Sequence, residues 1–261
     1  MKKVLLTAAG YDPSGGAGVL LDVKVFAQFG FHGAAVITAL TTQNTRSVKN
    51  VYALPPGLIR EQSRVLARDM KFAGIKVGMA GSWENLKAIG EILTKLKDVP
   101  RVIDPIFRSS SGAWLLDKGA ISVFLGEIRG KATVLTPNLD EAGLMIGSKL
   151  RNIPDMREAA GEIFRVTRVP CLVKGGHLEG DAVNLLYDGR RVYLFGQKKI
   201  AKDVHGTGCY FSAALLCHMA RGKSLSAAAE LATENTRAAI RGAVLIGRGR
   251  RIFSSFLLGH E

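Results

Sequence analysis

Residues 205–209 read His-Gly-Thr-Gly-Cys, and an apolar helical run, YFSAALLCHMA, begins at once. Glycines 206 and 208 leave their backbone N–H groups unobstructed, and a helix starting near Thr207 turns the positive end of its dipole to the same place. Such a helix start is an anion site suited to a phosphate. Cys209 adds a thiol there, where a lowered pKa makes it a base or a nucleophile. A lone G-x-G ahead of a helix reads equally as a helix cap with incidental glycines. Cys171 and Cys217 sit in apolar surroundings, Pro-Cys-Leu and Leu-Cys-His, and read as core fillers.

Two acids come next. Asp104 ends the run VIDP, and Glu141 follows TPN as Asn138-x-x-Glu141. A magnesium ion carrying nucleotide phosphates takes a few oxygen ligands, some through water, and these two carboxylates can supply them. Asp104 also reads as a strand-end acid before proline, and Glu141 as a first-turn acid behind an Asn138 cap. Gln43 closes TTQNT, and its amide complements an edge that offers an acceptor beside a donor, as an aminopyrimidine does. His177 and His205 have the chemistry of proton shuttles or ligands. No second histidine or cysteine lies at metal spacing, which favours polar loop residues. DPSGGAG (12–18) is no Walker A loop, because no Gly-Lys-Ser/Thr ends it, and the chain has no G-x-G-x-x-G. It reads either as a turn before a helix or as a bare backbone surface for a ligand.

These groups need a frame. Short β-rich runs (KVLLTAA, AAVITAL, AGIKVGM, RVIDP, ATVLTPN, PCLVKGG) alternate with helical patterns over 18–30, 56–70, 82–97, 117–129 and 155–168. The runs are almost wholly apolar, as in parallel strands buried on both faces, so the alternation predicts an α/β fold. After Gly180, AVNLLYDGRRVYLFG reads as a hairpin turning at Asp188-Gly189, and two helices, 206–222 and 226–247, close the chain. No linker or repeat divides it, so one domain over 1–261 is expected. Open α/β sheets bind ligands beyond the carboxyl ends of their strands, which is where the polar motifs fall.

Of the 261 residues 47% are hydrophobic and 22% charged, which fits a soluble globular chain. Three cysteines without a C-x-x-C pair predict no disulfide framework or zinc site and point to a reducing, cytoplasmic setting. The N-terminal KKVLLTAA is too short for a signal peptide, and no apolar run is long enough to span a membrane. The net charge of +14 permits nucleic-acid binding. However, the basic residues are scattered, with GRGRR at 247–251 as the one dense cluster, so no nucleic-acid partner is expected. A basic surface also attracts a phosphorylated substrate.

In this order, AGYDPSGGAGVLLDVKVFAQFGFHGAAVITALTTQNT, KVGM, VIDP, TPNLDEA, VKGGH and HGTGC resemble the hydroxymethylpyrimidine/phosphomethylpyrimidine kinase family of thiamine biosynthesis, over about residues 5–245. The resemblance implies a ribokinase-like three-layer α/β/α sandwich around a mostly parallel sheet. It implies ATP- and Mg2+-dependent phosphorylation of 4-amino-5-hydroxymethyl-2-methylpyrimidine and then of its monophosphate. It further implies that Gln43 binds the pyrimidine, with Gly10, Asp22 and Met79 lining its pocket. Gly206 and Gly208 would form the anion hole, Lys174 and Thr207 would bind nucleotide, and Cys209 would stand where most ribokinase-like sugar kinases have aspartate. A homodimer is expected on the same ground.

The chain departs from the family pattern at three places. Many members carry Ala-Lys-Ser-Gly where this chain has Arg108-Ser109-Ser110-Ser111-Gly112, so Arg108 is the candidate for the missing lysine's charge. Val204 and Tyr210 stand where threonine is common. A pyridoxal/pyridoxine kinase is the nearest alternative, and a non-catalytic pyrimidine-binding sensor is the alternative outside enzymes. Cys209 and Gln43 favour the pyrimidine, and the pair Asp104 and Glu141 argues against a sensor. The C-terminal RGRRIFSSFLLGHE matches no family motif. Its Phe253, Phe256, Leu257 and Leu258 predict a docked end.

Overall fold

Successive residues of a strand face opposite sides, and here both sides are apolar, so both must be covered. The computed structural model describes residues 2–108, 112, 114–116, 119–176, 178 and 181–253. The first half runs β1 (Val4–Tyr11), α1 (Gly18–Gln28), β2 (His32–Gln43), β3 (Val48–Ala53), α2 (Pro56–Asp69), β4 (Phe72–Val77) and α3 (Trp83–Lys95). Then come β5 (Arg101–Ile103), α4 (Ala120–Ile128), β6 (Val134–Leu135), α5 (Leu139–Ile146), α6 (Ile153–Thr167) and β7 (Cys171–Gly175). β8 (Ala182–Tyr187), β9 (Val192–Gln197), α7 (Thr207–Ala220) and α8 (Leu225–Arg241) complete it.

The strands form one sheet in the order β3-β2-β1-β4-β5-β6-β7-β8-β9. From β2 to β7 neighbouring strands are parallel, while β3, β8 and β9 are antiparallel flanks. Leu5, Val102, Val134 and Leu172 pack with α1, α7 and α8, and their neighbours Leu6, Ile103, Leu135 and Val173 pack with the helices α2 to α6. This is the expected three-layer α/β/α arrangement. The chain order reverses between β1 and β4, the switch point where such sheets open a crevice at their carboxyl ends. Cys209 through Met219 of α7 are all buried, because that helix is sandwiched between the sheet, α1 and α8.

One strand was not read from sequence: β3 carries polar residues on both faces, as an edge strand can. Of α5, eight residues long, only the start was read, from the Asn138 cap and Glu141. The last helix is shorter than expected. It stops at Arg241 with Gly242 as its cap, and residues 244–252 form a bent strap that doubles back on itself. Val244 bridges Ile252, and Arg251 bridges Val204. The strap's end is docked, with Phe253 buried and its ring 4.8 Å from that of Tyr210. Phe256, Leu257 and Leu258 lie outside the described residues, as do His177, Gly180 and Ser109–Ser111.

Candidate active site

The glycine motifs come together through their backbones. Gly206 caps α7 with φ +82°, and a side chain there would fall on the Gly16 carbonyl. Gly18 has φ +59°, and a side chain there would fall on the Gly10 carbonyl. An L side chain is strained at either angle and has no space at either place. The DPSGGAG loop therefore interlocks with the HGTG turn and the end of β1. Its glycines 16 and 18 are taken up by these protein contacts.

The first turn of α7 faces this junction. Tyr210 N–H makes the first helical bond, to the Gly206 carbonyl, so the N–H groups of Thr207, Gly208 and Cys209 precede the ladder and point out of the helix end. A side chain on Gly208 would stand 2.9 Å from Lys174 Nζ, which places that ammonium beside the helix start. The Thr207 hydroxyl donates back to the Val204 carbonyl (3.0 Å), tying down the turn.

Lys174, on β7, pairs with Asp104 Oδ1 at 2.6 Å. Asp104, after β5, also accepts from the hydroxyls of Thr136 (3.1 Å) and Ser212 (3.3 Å). Glu141 is the third member of this charged centre. Burial opposes the Lys174 charge, but Asp104 and Glu141 outweigh it and raise the ammonium's pKa. Burial likewise pushes the Glu141 carboxyl up to about 8; Lys174 opposes the rise and Asp104 adds to it. The cap read from sequence is present: Asn138 N–H donates to Glu141 Oε2 (2.7 Å), and Glu141 N–H donates to Asn138 Oδ1 (2.8 Å). Among the described residues no three His, Cys, Asp or Glu side chains cluster closely enough to hold a metal by themselves.

Cys209 stands over a second charged pair that sequence reasoning missed. Lys76 of β4 is fully buried, 2.6 Å from Asp22 Oδ1, and the Thr7 hydroxyl donates to Asp22 Oδ2, also at 2.6 Å. Burial raises the Asp22 carboxyl, yet with two donors this close the carboxylate is the form that fits. The Lys76 ammonium is held well above its ordinary range, because Asp22 outweighs the effect of burial. Asp22 was expected to line a substrate pocket; its side chain is wholly inside, committed to Lys76 and Thr7. The thiol also differs from expectation. Burial pushes Cys209 up to about 11, against the pull of Lys76 and an N–H from Gly18. Although Gly206, Thr207 and Gly208 are half-exposed, the thiol itself is buried, so burial outweighs the helix dipole and the thiol is neutral at pH 7.

A third cluster holds Gln43. The end of β1 and the segment after β4 touch where a side chain on Gly10 would meet Met79 Sδ at 3.1 Å, at the switch point. Gln43, the last residue of β2, brings its amide Nε2 to 3.2 Å from His205 Nε2, and that ring nitrogen is 2.9 Å from Asp12 Oδ2. Asp12 also takes the Ser14 N–H (2.8 Å) and hydroxyl (2.7 Å) on Oδ1. Burial would raise the Asp12 carboxyl, but the His205 and Ser14 bonds outweigh it and the net shift is downward.

The two departures near HGTGC have structural explanations. Tyr210 turns into the core, its hydroxyl on Gln28 Oε1 at 3.1 Å, and Val204 is buried against the strap. Arg108 stacks over the Trp114 ring, 3.9 Å from its centroid. Cys171 and Cys217 are buried core residues, as expected.

Residues 12–253 match a family model described as phosphomethylpyrimidine kinase. A hydroxymethylpyrimidine/phosphomethylpyrimidine kinase of Aquifex aeolicus is 37% identical over 95% of this chain and 98% of its own. Among solved structures, a pyridoxal kinase from Staphylococcus aureus bound to pyridoxal superposes with a TM-score of 0.88 at 31% identity, covering 97% of this chain and 93% of its own. That enzyme has also been solved with AMP-PCP and with ADP. A phosphomethylpyrimidine kinase from Clostridium difficile superposes with a TM-score of 0.80 at 34% identity, covering 92% and 100%.

Proposed function

The chain belongs to the phosphomethylpyrimidine kinase family, and from that premise we propose how its residues divide the work. It is a ribokinase-like, ATP-dependent kinase that phosphorylates 4-amino-5-hydroxymethyl-2-methylpyrimidine and then its monophosphate, a step of thiamine biosynthesis. The match over residues 12–253 carries this conclusion.

In the first reaction the substrate hydroxyl oxygen forms a bond to the γ-phosphorus, the bond to the bridging oxygen of ADP breaks, and the hydroxyl proton is lost. The N–H groups at Thr207, Gly208 and Cys209, in the turn that Gly206 opens and with Lys174 beside them, hold the transferred group's oxygens where charge develops. Cys209 holds the substrate hydroxyl and relays its proton, taking it as the S–H proton passes to a phosphoryl oxygen. A neutral thiol suffices because phosphoryl transfer depends mainly on positioning and electrostatics. Gln43 pairs with the aminopyrimidine edge, and Gly10 and Met79 flank the ring. Asp22 acts from beneath, through Lys76.

Magnesium fits the donor chemistry here. Asp104 and Glu141 are two hard-oxygen acids beside one ammonium, so once Glu141 ionises one negative charge is left that Lys174 does not balance, and a divalent cation would meet it. When bound, it neutralises phosphate charge during transfer. Glu141 must ionise to share in that role, and its pKa lies near 8. Mg–ATP binding at pH 7 is therefore expected to release up to about one proton. Calorimetry in buffers of different ionisation enthalpy measures this; equal release from Glu141→Gln would remove Glu141 from the site. The same shift predicts a fall in stability with pH. A carboxyl raised from 4.5 stabilises the fold fully below 4.5, and that contribution is lost as pH rises through about 8.

One sheet shared by all nine strands supports a single domain. Three free, buried cysteines support a cytoplasmic setting, and the family resemblance supports a homodimer. Among the described residues no helix is long and apolar enough to cross a membrane. The likeness to pyridoxal kinase favours a second reading, in which pyridoxal is also a substrate. Incubation with Mg–ATP and either alcohol tests both. Mono- and diphosphate from the pyrimidine are expected. Product from pyridoxal alone would transfer the protein to that activity, and tight pyrimidine binding without turnover would make it a sensor.

A further inference from the structure

His205 is the feature of the site with no task yet. Its ring lies between three loops. A side chain on Gly16 would reach His205 Cδ2 at 2.6 Å, so the ring rests on bare backbone there. His205 N–H donates to the Arg251 carbonyl of the C-terminal strap (2.8 Å). The same strap holds the turn after Gln43: Arg250 N–H donates to the Thr45 carbonyl (2.8 Å) and Gly249 N–H to the Thr45 hydroxyl (3.2 Å). The loops of His205 and Gln43 thus hang from one support, and the GRGRR cluster is part of it.

The hydrogen bonds then constrain one another. Asp12 is a carboxylate and calls for a donor on Oδ2, and among the described residues the group placed to give one is His205 Nε2–H (2.9 Å). A ring nitrogen that donates has no lone pair left for a second N–H. Gln43 stands with its amide Nε2 3.2 Å from that ring nitrogen; the amide's oxygen and nitrogen exchange places by a half-turn, and only the turned amide, with its oxygen on the ring N–H, is satisfied. Its oxygen keeps one lone pair, and its NH2 stays free. Those two groups complement the exocyclic amine and the adjacent ring nitrogen of a 4-aminopyrimidine.

We propose that His205, backed by Asp12, is a positioning residue that fixes which way the Gln43 amide faces, and thereby sets the preference for a 4-aminopyrimidine alcohol over pyridoxal. This rests on the reading of Gln43 as the pyrimidine contact. With the two hydroxymethyl groups superposed, pyridoxal carries its formyl group in place of that amine and its phenolic oxygen in place of the adjacent ring nitrogen, so the locked amide oxygen meets an acceptor where it needs a donor. With His205 removed the amide turns freely, and discrimination weakens.

The test is steady-state kinetics on Gln43→Ala, His205→Ala, His205→Gln and the Gln43→Ala/His205→Ala double variant, with both alcohols and ATP. His205→Ala is expected to raise KM for the pyrimidine about tenfold, with kcat within about threefold and KM for ATP unchanged. Its preference over pyridoxal falls by a similar factor. His205→Gln, which keeps a donor, recovers part of the loss. The double variant is no worse than Gln43→Ala alone, because the two residues act as one unit. A fall in kcat without a change in KM, or additive losses in the double variant, would overturn the proposal. An unchanged KM in Gln43→Ala would remove the pyrimidine contact itself, and the proposal with it. If His205→Ala does not fold, Asp12→Asn gives the same reading: a KM effect in the same direction supports the proposal, and none overturns it.

Discussion

Replacing Cys209 with alanine lowers kcat by about 10²–10⁴-fold, the range for losing a group that handles a proton in the transition state. KM for ATP stays close to its original value, because the N–H groups that receive phosphate belong to the backbone and to its glycines. The fold survives. The thiol is buried at the start of a helix, so its loss leaves a small cavity, at a cost of about 1–3 kcal/mol. Single-turnover phosphate transfer, measured beside ADP binding, separates these effects. Normal binding with slow transfer is expected; transfer within about threefold of the original would remove Cys209 from the chemistry. The thiol's state has its own signature. Burial holds it near 11, so iodoacetamide should react slowly at pH 7.5 and faster as pH approaches 11. A reactivity midpoint below pH 8 would show that the helix dipole and Lys76 outweigh burial after all.

That correction shows what a sequence can convey about a site. HGTGC reveals a glycine turn, a helix start and a thiol at fixed offsets, because these are properties of adjacent residues. Whether the thiol is wet or dry depends on residues far away along the chain. Lys76 and Asp22 are separated by 54 positions, and only the sheet brings them under α7. A trace of them was legible: a lysine inside the apolar run AGIKVGM and an aspartate inside GVLLDVKVFAQ are charges where a core is expected, and buried charges need partners. The strands and long helices were legible because their apolar patterns repeat. β3 was not, since an edge strand has little apolar pattern, and of α5 only the cap and first turn were, since eight residues give barely two turns. The end of α8 was misread because AVLIG continues the apolar composition. Gly242 and the strap's contacts with Thr45 and Val204 decide the boundary instead.

The His205 group illustrates the same limit. Asp12, Gln43 and His205 come from three separate loops, and each alone is an ordinary polar residue. Their meeting depends on Gly16 and Gly206 lacking side chains, so the glycines that read as ligand-approach signals serve first to let the loops touch. The glycine turn at the start of α7, the proposed phosphate site, is the complementary case, a local feature that reads directly from sequence.

Replacing Lys76 with methionine destabilises the protein by about 3–5 kcal/mol, the cost of stranding a buried charge whose partner is removed. Both side chains of the pair are wholly buried, so no water replaces the ammonium. Thr7 still donates to Asp22, but one hydroxyl does not offset the desolvation of a carboxylate. In a chain of this size that loss corresponds to a fall in Tm of about 10 °C. Adding Asp22→Asn returns part of it, since the neutral amide keeps an acceptor for Thr7 and carries no charge. The pH dependence gives the sign. Without Lys76, burial holds the Asp22 carboxyl above its ordinary value, so the fold is favoured at low pH and weakened as pH rises through the raised value. The gap between variant and original protein is therefore expected to be wider at pH 8 than at pH 5 in urea titrations. A gap under about 1 kcal/mol, or one independent of pH, would mean that the pair is not a buried ion pair. Lys76 also holds the Cys209 pKa down against burial, so its loss should slow alkylation of that thiol further. A slower thiol in a variant that still folds would tie this core pair to the chemistry above it.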